Sequence, residues 1–111
     1  MNHDKIIEDI VNRLYYTHPD AEIWHNEEYN FKGIFGECDV GMVSDDLLYL
    51  IEVKTSDTPR GRYKAKRQLK KDIEYYTSLY DISQIWAFYA YSDKHKRRGY
   101  NVKEIYHVKE E

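Results

Sequence analysis

The chain has 111 residues, enough for one small domain and too few for two independent cores. It is 41% hydrophobic, 15% aromatic and 33% charged, with one cysteine; this excludes a disordered chain, an internal disulfide and a cysteine-based zinc site. The net charge of −3 hides an asymmetry: residues 1–53 hold 12 acids and 3 bases, residues 54–71 hold 8 bases and 1 acid, and residues 72–111 hold 7 acids and 6 bases.

Ile6, Ile7, Ile10, Val11 and Leu14 recur at helical spacing and predict a first helix over 3–16, capped by Asn2 or Asp4. "THPDA" (17–21) ends it, because proline removes a donor and drives its predecessor out of helical space. "EIWHNEEYNF" (22–31) reads as a strand wet on one face. Residues 32–43 read as a turn and a second strand, with Gly33, Gly36 and Gly41 at bends or bulges. "SDD" (44–46) is short enough to make an antiparallel hairpin with the buried-type strand "LLYLIEVK" (47–54). A loop over 55–61 leads to a second helix over 62–80, with Ala65, Leu69, Ile73, Tyr76 and Tyr80 along one side. A strand over 84–91, a basic loop over 92–99 and a strand over 100–108 complete an α-β-β-β-α-β-β order. The expectation is a single α/β domain over 1–111, one mixed sheet flanked by two helices.

Glu52 and Lys54 share a strand face, since side chains two apart point the same way. A carboxylate in an otherwise apolar strand is costly without a partner. The hairpin link brings Asp39 opposite residues 51–52, so two carboxylates converge beside an ammonium. A hard divalent cation offsets their repulsion, and magnesium needs only one or two carboxylates because it keeps several waters. The backbone carbonyl of Val53 is a further candidate oxygen ligand. Lys54 stands where it can orient an attacking water or offset charge on a phosphate. Glu37 alternates onto the same face as Asp39, as a fourth site acid or as a rim residue. Cys38 points the other way, as a small core residue. The histidines show no pairing at metal-ligand spacing.

The pattern Asp39 followed by "Glu52-Val53-Lys54" resembles the PD-(D/E)XK nuclease superfamily, with Cys38 in place of the proline. Within it, Glu8 in the opening helix, "GECDVG" (36–41), "LIEVKTS" (50–56) and "KAKRQL" (64–69) resemble the small archaeal-type Holliday junction resolvases and their viral relatives. The resemblance implies a restriction-endonuclease-like fold. It also implies a Mg2+- or Mn2+-dependent DNA endonuclease that resolves four-way junctions as a homodimer. Its site would comprise Asp39 and Glu52 as metal ligands, Lys54 as the catalytic lysine, Glu8 as a helical acid reaching the metal directly or through water, and Gln68 as a supporting glutamine. Asp72 stands where the RecB-type Gln-x-x-x-Tyr motif has its tyrosine. The alternatives are a nuclease of the same fold acting on other DNA structures in repair or viral replication, and an inert DNA-binding module.

The dense basic block marks a polyanion partner. Arg60, Arg62, Lys64, Lys66, Arg67, Lys70 and Lys71 follow the Glu52 strand, where phosphates held by them would lie beside the metal. Lys94, Lys96, Arg97 and Arg98 form a second candidate contact. Both are phosphate contacts, giving salt-dependent affinity without sequence readout. No apolar run approaches the ~20 residues of a membrane span, and no signal-type segment opens the sequence. The expected place is therefore intracellular: cytoplasmic or nucleoid-associated, or in a host cytoplasm if viral.

Overall fold

A computed structural model describes residues 1–109 and contains α1 (His3–Thr17), β1 (Glu22–Phe31), β2 (Ile34–Ser44), β3 (Leu47–Lys54), α2 (Pro59–Leu79), β4 (Gln84–Ser92) and β5 (Tyr100–Lys109). The element order is the expected one. The five strands form one mixed sheet in sequence order, antiparallel at every junction except β3–β4, where α2 provides the crossover that a parallel pair requires. β3 is thus the central strand, paired on both edges.

Local chemistry explains the turns and caps. Lys32 and Gly33 both adopt positive φ between Phe31 and Ile34, the conformation a two-residue hairpin turn demands. Asp45 does the same between β2 and β3. The Asn2 side chain accepts from the Lys5 N–H at 2.9 Å and starts α1. α2 begins three residues before the expected Arg62, because Thr58 accepts from the Gly61 N–H at 3.0 Å and Pro59 occupies the first turn, where a missing N–H costs nothing.

The helices cover opposite faces of the sheet. Ile6, Ile7, Ile10, Val11 and Leu14 of α1 pack on Val40, Met42, Ile51, Val53 and Ala90. Leu69 and Tyr76 of α2 pack on Cys38, Leu48, Leu50 and Ala87. Each buried aliphatic side chain contributes roughly 1.5–3 kcal/mol. Gly36 and Gly41 are not bends: each lies in β2 beneath an aromatic ring of its partner in β1, Tyr29 and Trp24 respectively, where a Cβ would collide with the ring. The tyrosines of α2 pack on the same rings, with Tyr75 stacked on Tyr29 at 4.1 Å and Tyr76 tilted against Trp24 at 4.6 Å. Among the described residues, no helix is long and apolar enough to cross a membrane.

Candidate metal centre at the end of the central strand

Strand alternation in β2 breaks at Asp39. Cys38 packs on the α2 side and Val40 on the α1 side, both fully buried. Across from them, Asn26 of β1 adopts positive φ and the β1–β2 ladder skips the 26/39 pair. Asp39 sits at this irregularity, 5% exposed, and its Oδ2 accepts from the Val53 N–H at 2.8 Å. The β2–β3 register ends at Val40↔Ile51, so the next step brings Asp39 to Glu52.

Glu52 is 6% exposed on the α2 side of β3. Lys54 Nζ stands 3.4 Å from its Oε1, while Oε2 is buried without a hydrogen-bond partner. Burial pushes the Glu52 carboxyl up to about 9; the Asp39 charge adds to this, Lys54 opposes it and the Asp72 charge adds again. A buried carboxylate oxygen left unpaired costs more than about 1–3 kcal/mol. Glu52 therefore lies where an additional positive charge would relieve both its burial and its acidic neighbours.

The third carboxylate, Asp72, is one that motif reasoning missed. It is 1% exposed, on the buried stripe of α2 between Leu69 and Tyr76. Its Oδ1 accepts from the Tyr29 hydroxyl at 2.5 Å and from Gln68 Nε2 at 2.8 Å. Burial pushes Asp72 up to about 7, opposed by those two hydrogen bonds and reinforced by Asp39. Gln68 is thus tied to the site through Asp72. The signal was present in the sequence: Ala65, Leu69, Asp72 and Tyr76 follow 4-3-4 helical spacing, which puts the aspartate inside the apolar stripe.

Glu8 and Glu37 stand apart from the buried cluster. Glu8 is exposed on α1 and lines a surface hollow with Met1, Lys5, Asp9 and Asn12, and among the described residues no hydrogen bond or ion pair joins it to Asp39 or Glu52. The first turn of α1 instead delivers His3, whose Nε2 lies 3.5 Å from Asp39 Oδ2. No local spacing could have linked residues so far apart in the chain. Glu37 is exposed and so stands outside the buried cluster. Val53 places its side chain in the α1-side core and its N–H on Asp39.

The donor set fits a hard cation: carboxylates from Asp39 and Glu52, with one buried oxygen unpartnered. Among the described residues, no three His, Cys, Asp or Glu side chains stand together at ligand spacing. Such an ion would complete its shell with water and backbone oxygen, as magnesium does.

The basic residues divide into separate surfaces. Arg60 and Lys64 line a hollow of about 270 Å³ with Lys54, Ser56 and Thr58, directly beyond the end of β3. Lys66, Arg67, Lys70 and Lys71 line another of about 420 Å³ with Tyr63 and Tyr106 further along α2. Arg62 is paired with Asp57 at 3.2 Å. Lys96, Arg97 and Arg98 line a third hollow with Arg13 of α1, and Lys94 is exposed in the same loop. Comparison with known proteins finds no family model and no curated protein that matches the chain.

Proposed function

We propose that the chain is a divalent-metal-dependent DNA endonuclease of restriction-endonuclease-like fold. The observation that carries this reading is the meeting of Asp39 and Glu52 at the end of the central strand, with Glu52 Oε2 buried and unpartnered and Lys54 on its other oxygen. Buried clusters of carboxylates with strongly raised proton affinity are a mark of functional sites.

In this reading Asp39 and Glu52 hold Mg2+ or Mn2+. The ion, when bound, neutralises phosphate charge and makes a water molecule a better nucleophile. Lys54 is 32% exposed at the mouth of the site, so its ammonium reaches both Glu52 and a phosphate outside. It offsets the charge that develops on the phosphate oxygens as the phosphodiester is attacked. Arg60 and Lys64 hold neighbouring phosphates and set the scissile bond at the carboxylates. Asp72, held by Tyr29 and Gln68, adds its charge to the acidic surroundings of Glu52 and so strengthens the attraction for a cation.

The specific form proposed is a homodimer that resolves four-way junctions, since a two-fold pair of sites suits a substrate with two equivalent strands to cut. The test is cleavage of an end-labelled four-way junction against its linear duplex arms in magnesium, with Glu52→Gln as control. Paired symmetric cuts confined to the junction, lost in the variant, are expected. Equal cutting of linear DNA would leave the nuclease and remove the junction. DNA binding without any cutting in magnesium or manganese would overturn the enzyme in favour of an inert module.

A further inference from the structure

The sheet face under α1 is not fully covered. The β3–β4 and β4–β5 registers put Tyr49, Trp86, Phe88 and His107 on that face, away from α2. Their rings form a row. His107 lies 3.5 Å from Trp86 with planes 15° apart, Trp86 lies 5.8 Å from Phe88 with planes 3° apart, and Phe88 lies 4.8 Å from Tyr49. Trp86, Phe88 and Tyr49 remain partly exposed and His107 is exposed, so part of this apolar area meets solvent.

Positive charge reaches the row at Tyr49. Lys96, Arg97 and Arg98 of the β4–β5 loop and Arg13 of α1 surround a hollow of about 490 Å³. Arg98 is held by its Nε–H on the Tyr100 carbonyl at 2.9 Å and by the Tyr100 ring. It stands near enough to Tyr49 for its charge to oppose the upward push that burial gives that phenol. Asp9 partly neutralises Arg13 at 2.8 Å, and Glu104 lies beside Phe88 in β5, which leaves the three loop cations as the main field.

Flat rings beside a cationic channel are what unpaired nucleotides recognise: every base has a face to stack, and every linkage has a phosphate to neutralise. A duplex offers no free base faces to such a row, and an apolar peptide would not need the cations. We propose that this face binds an unpaired DNA strand, with bases packed on the solvent-facing parts of the His107–Trp86 stack, of Phe88 and of Tyr49, and phosphates on Lys96, Arg97 and Arg98. It lies on the opposite sheet face from Glu52, Asp72 and α2, so, resting on the endonuclease reading above, it is a holding surface for a strand other than the one being cut. Binding here does not depend on the metal centre.

The test measures anisotropy of a short end-labelled thymidine oligonucleotide and of an abasic strand of equal length, both in EDTA so that cleavage plays no part. The unmodified protein should bind the thymidine strand at least roughly fivefold more tightly, the lower end for one stacked base. Trp86→Ala should reduce that preference while abasic binding stays salt-dependent; Trp86→Leu, which keeps apolar bulk and removes the ring, is judged by the same criterion if Trp86→Ala unfolds. The Lys96→Ala/Arg97→Ala pair should weaken both strands and flatten the salt dependence. Equal affinity for thymidine and abasic strands in the unmodified protein overturns the proposal, as does undiminished preference in folded Trp86→Ala. Tighter binding of the matching ribo-oligonucleotide overturns its assignment to DNA.

Discussion

Glu52 is a carboxylate whose surroundings favour its neutral form, and that gives it a measurable signature. Glu52→Gln keeps the size and removes the charge, so it should abolish metal-dependent cleavage yet stabilise the metal-free protein at pH 8 by about 1–3 kcal/mol, read by denaturant unfolding. Loss of stability instead would mean that the carboxylate is paired within the fold. Tyr29→Phe removes the hydroxyl that holds Asp72 at 2.5 Å and should cost about 1–3 kcal/mol, the larger end applying above pH 7, where the acceptor carries charge. Much of this site is legible in the sequence: an acid within the apolar run of β3 announces Glu52, and hairpin arithmetic puts Asp39 beside it. Asp72 is legible by helical spacing, but the motif directs attention to a tyrosine at that place. In the structure a tyrosine does arrive, but from β1 as Tyr29, and that is a tertiary fact. Glu8 rests on motif alone, and the course of α1 brings His3 to Asp39 instead.

At the scale of elements, hydrophobic period locates every helix and strand to within a few residues, and the one sizeable boundary error has a local cause. Thr58 and Pro59 form an N-terminal signature that pulls the start of α2 forward, which brings Arg60 and Gly61 into the helix beside Lys54. Thr58→Ala should therefore cost about 1 kcal/mol in unfolding experiments and should weaken DNA binding by loosening Arg60. The roles of Gly36 and Gly41 depend on the partner strand, which no local pattern in β2 reveals. Gly36→Ala drives a methyl into the Tyr29 ring, so it should cost about 1–3 kcal/mol. Tyr29→Phe/Gly36→Ala should be less than additive, because a ring displaced by the Gly36→Ala methyl already holds Asp72 less well, and removing its hydroxyl then costs less.

For the whole molecule, opposed charge meets at one end of β3: the acidic first half supplies Asp39 and Glu52, α2 adds Asp72, and Arg60 and Lys64 of the basic block line the hollow beyond them. The cluster makes stability depend on pH in a defined direction. Glu52 is raised to about 9 and Asp72 to about 7 in the folded chain, from ordinary values of 4.5 and 3.8. Between those limits the folded chain binds more protons than the unfolded one, so the stability present at acid pH is lost as pH rises toward 9. The Tm of the metal-free protein should fall from pH 5 to pH 9, and magnesium should restore it at the alkaline end. Asp39 and Glu52 are proposed to hold a divalent cation, and the decisive experiment is calorimetric titration of Mn2+ at neutral pH. Heats measured in two buffers of different ionisation enthalpy should show one site whose filling releases protons, with binding lost in Asp39→Asn and in Glu52→Gln while both variants stay folded. Equal binding in the parent and both variants, or none in the parent, would contradict it.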